Sequence, residues 1–280
     1  MTEQWARVVR QQVGLGRLLP LGGARDGAWI TEDAAAGVLR RAVREVPGVR
    51  LGALRIAPAG PGSAQPVVPP PPSALPPGPL RVTADFSAVA GLPATAAEPL
   101  PTIAARLRGA LGEAAARQLG LTVSEVDLRV TGLLHDEEPG EGSGGPDVSP
   151  SVPPSGSRAV GEGREEPPSP GTETTDEERA ATAALAVPGV TRLTGRPGGG
   201  LGRAVRIDRT TADRPDRPDQ SDRADRTNIG ATAAIRPHVR VEIAVDTAHR
   251  TVEVARKVRT AVGRAVPGRP SVAVLVTAVG

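Results

Sequence analysis

Residues 103–112 (IAARLRGALG) and residues 254–263 (VARKVRTAVG) are two versions of one pattern within the same chain. Apolar residues recur every three or four positions in both, which is the period of an amphipathic helix. In the second stretch the face opposite the apolar one is basic. It carries Arg256, Lys257 and Arg259, and Arg264, which directly follows the stretch, extends it. The pair of stretches decides the interpretation of the fold, because it indicates an internal duplication.

Three further pairs of segments occur in the same order along the chain. They are 46–49 and 187–190 (both VPGV), 80–82 and 239–241 (LRV and VRV), and 126–131 and 272–277 (VDLRVT and VAVLVT). Each set follows the order helix, strand, strand, helix, strand, and Thr251 is the expected N-cap of the last helix. The sequence therefore predicts an α+β protein, made of two copies of a small two-layer domain joined by disordered linkers.

The composition places the boundaries of these copies. Segments rich in Pro, Gly, Ser, Asp and Arg cannot bury enough apolar surface to fold by themselves. The predicted regions are an N-terminal amphipathic segment (1–29), copy one (30–133), a disordered acidic linker (134–175) and copy two (176–280). Hairpin insertions interrupt each copy between its first two strands, a Pro-rich one at 57–79 and an Asp/Arg-rich one at 208–236.

The core must be built from small aliphatic side chains, because Trp5, Trp29 and Phe86 are the only aromatic residues. Domains this small are marginal alone, so we expect the copies to dock on each other or on other chains. The absence of cysteine excludes disulfides and fits the cytoplasm. No run of about 20 apolar residues is present, and the N-terminus lacks the apolar region of a secretory signal. The formal charge of +3 is a weak field for this length.

Catalytic and metal-binding motifs are not visible in the sequence. The three histidines, His135, His238 and His249, are far apart and lack the spacing of a metal site. No nucleophile has a base and an orienting acid near it in a recognisable motif. We therefore expect a protein that is not an enzyme, with no cofactor, no metal and no small-molecule substrate.

Copy two resembles the alkaline shock protein family of Gram-positive envelope stress proteins. The resemblance rests on residues 186–190 (AVPGV) after a helix, the strand 239–245 (VRVEIAV), the helix 252–266 and the closing strand 272–276 (VAVLV). Copy one is similar but more divergent, with 29–32 (WITE) expected to open its first helix. The resemblance implies a non-enzymatic cytoplasmic protein that self-associates and is held near the membrane by a separate anchor protein.

These features predict an envelope stress scaffold or adaptor, cytoplasmic and peripheral to the membrane. The expected partners are a membrane anchor protein and further copies of the chain. The alternative is an arginine-rich nucleic-acid-associated protein, which the lack of an aromatic platform disfavours. The candidate partner- or lipid-binding residues are the basic helix face (Arg256, Lys257, Arg259, Arg264) and an apolar N-terminal face (Trp5, Val8, Val9, with Val13). A solvated face and packing against copy one are the alternative structural roles of these two surfaces.

Overall fold

A computed structural model describes residues 16–60, 64–90, 98–135, 175–195, 204–209 and 236–280. Within these ranges the predicted α+β class is confirmed. The strands are β1 (Leu18–Pro20), β2 (Ala28–Thr31), β3 (Val49–Pro58), β4 (Leu80–Ala90), β5 (Val123–His135), β6 (Val190–Leu193), β7 (Val205–Asp208), β8 (His238–Val245) and β9 (Ser271–Val279). The helices are α1 (Glu32–Arg44), α2 (Leu100–Glu113), α3 (Asp176–Leu185) and α4 (Thr251–Ala265), and a π-helical turn, Ala114–Leu119, continues α2.

The larger sheet combines strands from both ends of the chain. Its order is β1-β2-β9-β8-β6, and β7 also pairs with β8. Strands β8 and β9 are parallel and are connected through α4, as a strand–helix–strand crossover requires. Strand β2 adds to the outer edge of β9 in parallel, with Trp29 beside Leu275. The N-terminal region thus completes a sheet whose other strands lie more than 150 residues later.

The smaller sheet has the order β3-β4-β5. Strands β3 and β4 form an antiparallel hairpin, and β5 returns parallel to β4 after α2. In the larger sheet β6 and β8 are likewise antiparallel, and β9 returns parallel to β8. The predicted boundaries at 29/30 and 175/176 remain predictions, although β2 crosses the first of them.

One hydrophobic core joins the two sheets. It includes Phe86 from β4, Leu107 from α2, Val241 from β8 and Val258 from α4, all fully buried. Helix α1 packs against both β3 and β9. At the junction the backbone of Gly120 lies directly against Val252 at the start of α4. The larger sheet with its helices and the smaller sheet with its helices are the two halves of the fold. They are therefore docked on each other and share one core, whose burial stabilises both.

The proline-rich segment between β3 and β4 is docked along residues 64–79. Val68 is buried in a second apolar cluster, which covers the other face of the larger sheet and consists of Leu18, Trp29, Val68, Ala273 and Leu275. The backbone of Leu18 bonds with Ser73 and Leu75, at 3.3 and 2.8 Å, so this segment also covers the edge of β1. We call residues 64–79 the strap, because they leave one sheet and pack on the other.

Two local predictions about helix starts are corrected. Trp29 and Ile30 lie in β2, and α1 begins only at Glu32, where the Thr31 hydroxyl accepts a hydrogen bond from Ala34 N at 3.3 Å. The pairing of β2 with β9 determines this boundary. Thr251 is the first residue of α4 instead of its cap, which is Arg250. The Thr251 hydroxyl is turned into the core, where it has no hydrogen-bond partner.

The predicted acidic linker and the second hairpin insertion lie largely outside the described residues. The acidic linker 134–175 is described only at its two ends, and the insertion 208–236 only at residues 208, 209 and 236. None of the described helices is both long enough and apolar enough to cross a bilayer.

Candidate functional site

Helix α4, which packs on the larger sheet, has one apolar side and one basic side. Val254, Val258 and Val262 are buried against the sheet, as the apolar period predicts. On the other side Arg256, Lys257 and Arg264 are exposed and Arg259 is half-buried; these four residues are the basic face. The four predicted cations therefore lie together on one surface, and this surface is the candidate site.

A tight turn between β1 and β2 holds one end of the basic face in place. Asp26 binds the Arg256 guanidinium through both oxygens, at 2.8 and 2.9 Å. The same carboxylate accepts the backbone N–H of Gly23 at 2.7 Å. Gly22 has a φ of +83°, and a Cβ there would meet Asp26 Oδ2 at 2.2 Å, so the turn requires glycine at this position. We call the Asp26–Arg256 pair the clamp.

The clamp changes the ionisation of both partners. The hydrogen bonds from Arg256 are the main reason that the pKa of Asp26 lies below its ordinary value; partial burial opposes this shift. The same hydrogen bonds raise the pKa of Arg256. The side chain of Asp26 is 17% exposed and that of Arg256 51% exposed. Arg256 is therefore neutralised at short range and serves structure before it serves a ligand.

Arg259 lies one helical turn after Arg256 on α4. It borders an open cleft of about 380 Å³. Its guanidinium donates to the backbone carbonyl of Arg25, which is neutral, so its positive charge is not cancelled by this contact. The cleft is lined by Arg256, Arg259, Thr260, Gly263, Pro270 and Val272. A planar guanidinium beside such a cleft is suited to bind a carboxylate or phosphate group.

The remaining predicted residues are placed as follows. Trp5, Val8, Val9 and Val13 lie outside the described residues, so the apolar N-terminal face stays a prediction. His238 begins β8 and lies 2.8 Å from the Ser271 hydroxyl, and burial lowers its pKa. His249 is exposed in the turn before α4. Within the described ranges, no three His, Asp or Glu residues are grouped as metal ligands would be.

Sequence reasoning missed Asp26 and the β1–β2 turn as parts of this site. The signal was the stretch 21–27 (LGGARDG), in which glycines flank an Asp that can fold back on its own backbone. Its partner Arg256 lies 230 residues away. No local pattern connects the two.

Comparisons with known proteins return no match, whether to family models, curated proteins or solved structures.

The clamp makes the stability of the protein depend on pH. A carboxyl whose folded pKa is lowered contributes stability that is complete above its unfolded pKa and is lost as the pH falls through the folded pKa. We expect Asp26→Asn to lower the free energy of unfolding by about 1 kcal/mol at pH 7. The difference between wild type and variant should be constant above the unfolded pKa of about 4 and should shrink as the pH falls below it, towards the lowered pKa of folded Asp26. Urea unfolding at a series of pH values measures it, and a difference that is constant with pH would contradict the assignment.

Proposed function

We propose that this protein is a non-enzymatic scaffold or adaptor of the envelope stress response, cytoplasmic and held at the inner face of the membrane by an anchor protein. The envelope stress role comes from the resemblance of residues 176–280 to the alkaline shock family. A duplication of that domain over residues 30–133 is part of the proposal. The shared order of β3-β4-β5 and β6-β8-β9 supports it, since both sheets have an antiparallel pair followed by a parallel one.

The observation that carries the partner-binding part is the state of the cations on the basic face. Lys257, Arg259 and Arg264 form no ion pair with a carboxylate of the described residues. Arg256, by contrast, is held by Asp26. Elsewhere in the fold, exposed Arg81 and Arg106 have carboxylate partners at 2.5 and 2.8 Å, whereas exposed Arg40 and Arg44 of α1 form no ion pair with a carboxylate of the described residues. Arg259 also attracts Asp26 electrostatically. Even so, three cations without an ion pair to a described carboxylate lie together on one helix, and their net positive charge favours an anionic partner.

An acidic segment of the anchor protein is the partner that fits this surface best. The cleft beside Arg259 admits a side-chain carboxylate, and the neighbouring cations reach further acidic groups along the helix. Anionic lipid headgroups near the anchor would add to the binding, at about 1 kcal/mol per cation close to the surface. The chain's own N-terminal face (Trp5, Val8, Val9) is proposed to contribute weakly to the same attachment.

The alternative function, nucleic-acid association, uses the same cations. Single-stranded binding by proteins of this kind depends on bases stacking on exposed aromatic rings. Trp29 and Phe86, the two aromatic residues in the described ranges, are buried at 1% and 0% exposure. The basic face therefore lacks a stacking platform, which favours the scaffold.

A charge-reversal variant tests the proposal in cells. Lys257→Glu/Arg259→Glu/Arg264→Glu removes the three unpaired cations and leaves the clamp intact. Membrane fractionation should find wild-type protein in the membrane pellet and this variant in the supernatant, with at least about a tenfold loss of the bound fraction. The matched control replaces three exposed arginines of other elements, Arg40, Arg50 and Arg192, by Glu; these also form no ion pair with a described carboxylate. The control protein should pellet like wild type.

Two outcomes would overturn the proposal. If wild-type protein stays in the supernatant with and without stress, no anchor holds it and the scaffold role fails. If nuclease treatment releases the wild-type protein from the pellet while mild detergent does not, the nucleic-acid alternative is correct.

A further inference from the structure

Strand β5 is a long strand with one unpaired edge. It has 13 residues, and within the described ranges it pairs only with β4. Its counterpart in the larger sheet, β9, also returns parallel to its neighbour after a helix, but the outer edge of β9 is covered by β2. Among the described residues, the same edge position is therefore filled in the larger sheet and has no neighbouring strand in the smaller one. An open edge presents a row of backbone N–H and C=O groups that can pair with another strand.

Apolar side chains remain exposed along this edge. Val130 lies beside buried Phe86 and Leu133 beside buried Ala88, so both belong to the core-facing side of the sheet. Nevertheless Val130 is 44% exposed and Leu133 55% exposed. The corresponding core-facing residues of β9, Val272, Val274 and Val276, are buried in the main core. No described residue gives Val130 and Leu133 an equivalent cover.

The charges on β5 are arranged so that the strand complements itself. Glu125, Asp127 and Arg129 share the face opposite the core. Arg81 of β4 lies 2.5 Å from Glu125 and 3.5 Å from Asp127, whereas Arg129 has no carboxylate partner among the described residues. In an antiparallel pair the residues directly opposite each other lie on the same face, and opposite charges there attract. If a twofold axis passes through Leu128, Asp127 of each copy faces Arg129 of the other. Val126 then faces Val130 and joins the two apolar sides.

Neighbouring registers are less favourable. An axis through Asp127 would set Glu125 against Arg129 twice but would also place the two Asp127 carboxylates opposite each other. An axis through Arg129 would oppose the two guanidinium groups, so only the axis through Leu128 has two attractive pairs and no repulsive one. A shift by one residue would set polar residues against apolar ones, because alternate side chains point to opposite faces. Residues 125–130 pair with β4 without a register shift. This regular stretch includes residues 126–130, which face each other in the favoured register.

We propose that two copies of this chain associate through β5 in antiparallel fashion, with the twofold axis at Leu128, to form a continuous six-stranded sheet. The smaller sheet of each copy contributes the same three strands, β3, β4 and β5, as an isologous interface requires. The occupant of the edge is a second copy, because the strand offers a self-complementary row of charges and of apolar residues. The inference gives a geometry to the self-association expected from the sequence resemblance, and it depends on neither the membrane nor the basic face.

Charge reversals at the interface test this geometry. Asp127→Arg places an arginine opposite Arg129 of the other copy, at both ends of the central register. Arg129→Asp likewise places an aspartate opposite Asp127 of the other copy. Each variant alone should raise the dimer dissociation constant at least about tenfold, measured by sedimentation velocity on the full chain. A mixture of the two variants should restore a heterodimer with near wild-type affinity, since every facing pair then has opposite charges. Recovery in the mixture also shows that each variant is folded.

The opposite edge of the smaller sheet supplies the control. Arg55→Glu reverses an exposed charge on β3, at the other edge, and should leave the dissociation constant unchanged. A wild-type chain that is monomeric at about 100 μM protein and about 0.1 M salt overturns the proposal. A dimer that neither reversal weakens, or a mixture that recovers nothing, also overturns it. None of these outcomes bears on membrane attachment, which the basic-face variant tests separately.

Discussion

Gly120→Ala will lower the free energy of unfolding by about 2–4 kcal/mol, because it combines backbone strain with a clash at the junction of the two halves. Gly120 ends the π-helical turn with a φ of +89°. A Cβ there would lie 2.3 Å from Val252 Cγ1, at the buried start of α4. The side chain of Val252 is itself enclosed by the core and cannot move aside freely. Urea unfolding measures the loss.

Gly48→Ala is the matched control for this variant. Gly48 has a comparable φ of +70°, but a Cβ there would meet no atom within 4 Å. This substitution has only the backbone cost, about 1 kcal/mol. Equal losses for the two variants would mean that the halves are not in close contact at Gly120.

Val68→Asp will detach the strap from the larger sheet and lower the free energy of unfolding by about 2–3 kcal/mol. Val68 is 1% exposed and packs in the cluster around Trp29. A carboxylate there has no described partner, so the strap releases it to solvent and the cluster loses its cover. In a Trp5→Phe background the emission of Trp29 should shift to the red, which reports water reaching the indole.

The adjacent valine supplies the control for the strap. Val67 is 66% exposed, so Val67→Asp should change neither the stability nor the Trp29 emission. An unshifted spectrum for Val68→Asp would contradict the docking of the strap. It would return residues 57–79 to the free insertion that their composition predicts.

The parts of the fold that follow local rules were predictable from the sequence. The apolar period of α4 places Val254, Val258 and Val262 inside and the cations outside, because a helix face depends only on spacing along the chain. The hairpin position of residues 57–79, between two paired strands, also follows the pattern.

The parts that the sequence did not reveal depend on contacts between distant residues. Trp29 belongs to β2 because β9 accepts it, more than 240 residues later. The strap is held by burial of Val68 and by backbone hydrogen bonds to Leu18, neither of which its composition predicts. Asp26 belongs to the candidate site only through Arg256. Membership of the alkaline shock family remains a prediction, since it rests on patterns of common residues.

Amide hydrogen exchange under native conditions tests most directly the central structural claim, that both halves unfold as one unit around a shared core. The probes are the amides of Val82 in β4 and Val241 in β8, one in each sheet and both fully buried. We expect the two amides to exchange with the same opening free energy, equal to that of global unfolding. Gly120→Ala should lower both values by the same amount. Two different opening free energies in the wild type, with neither changed by Gly120→Ala, would show two independent domains and contradict the account.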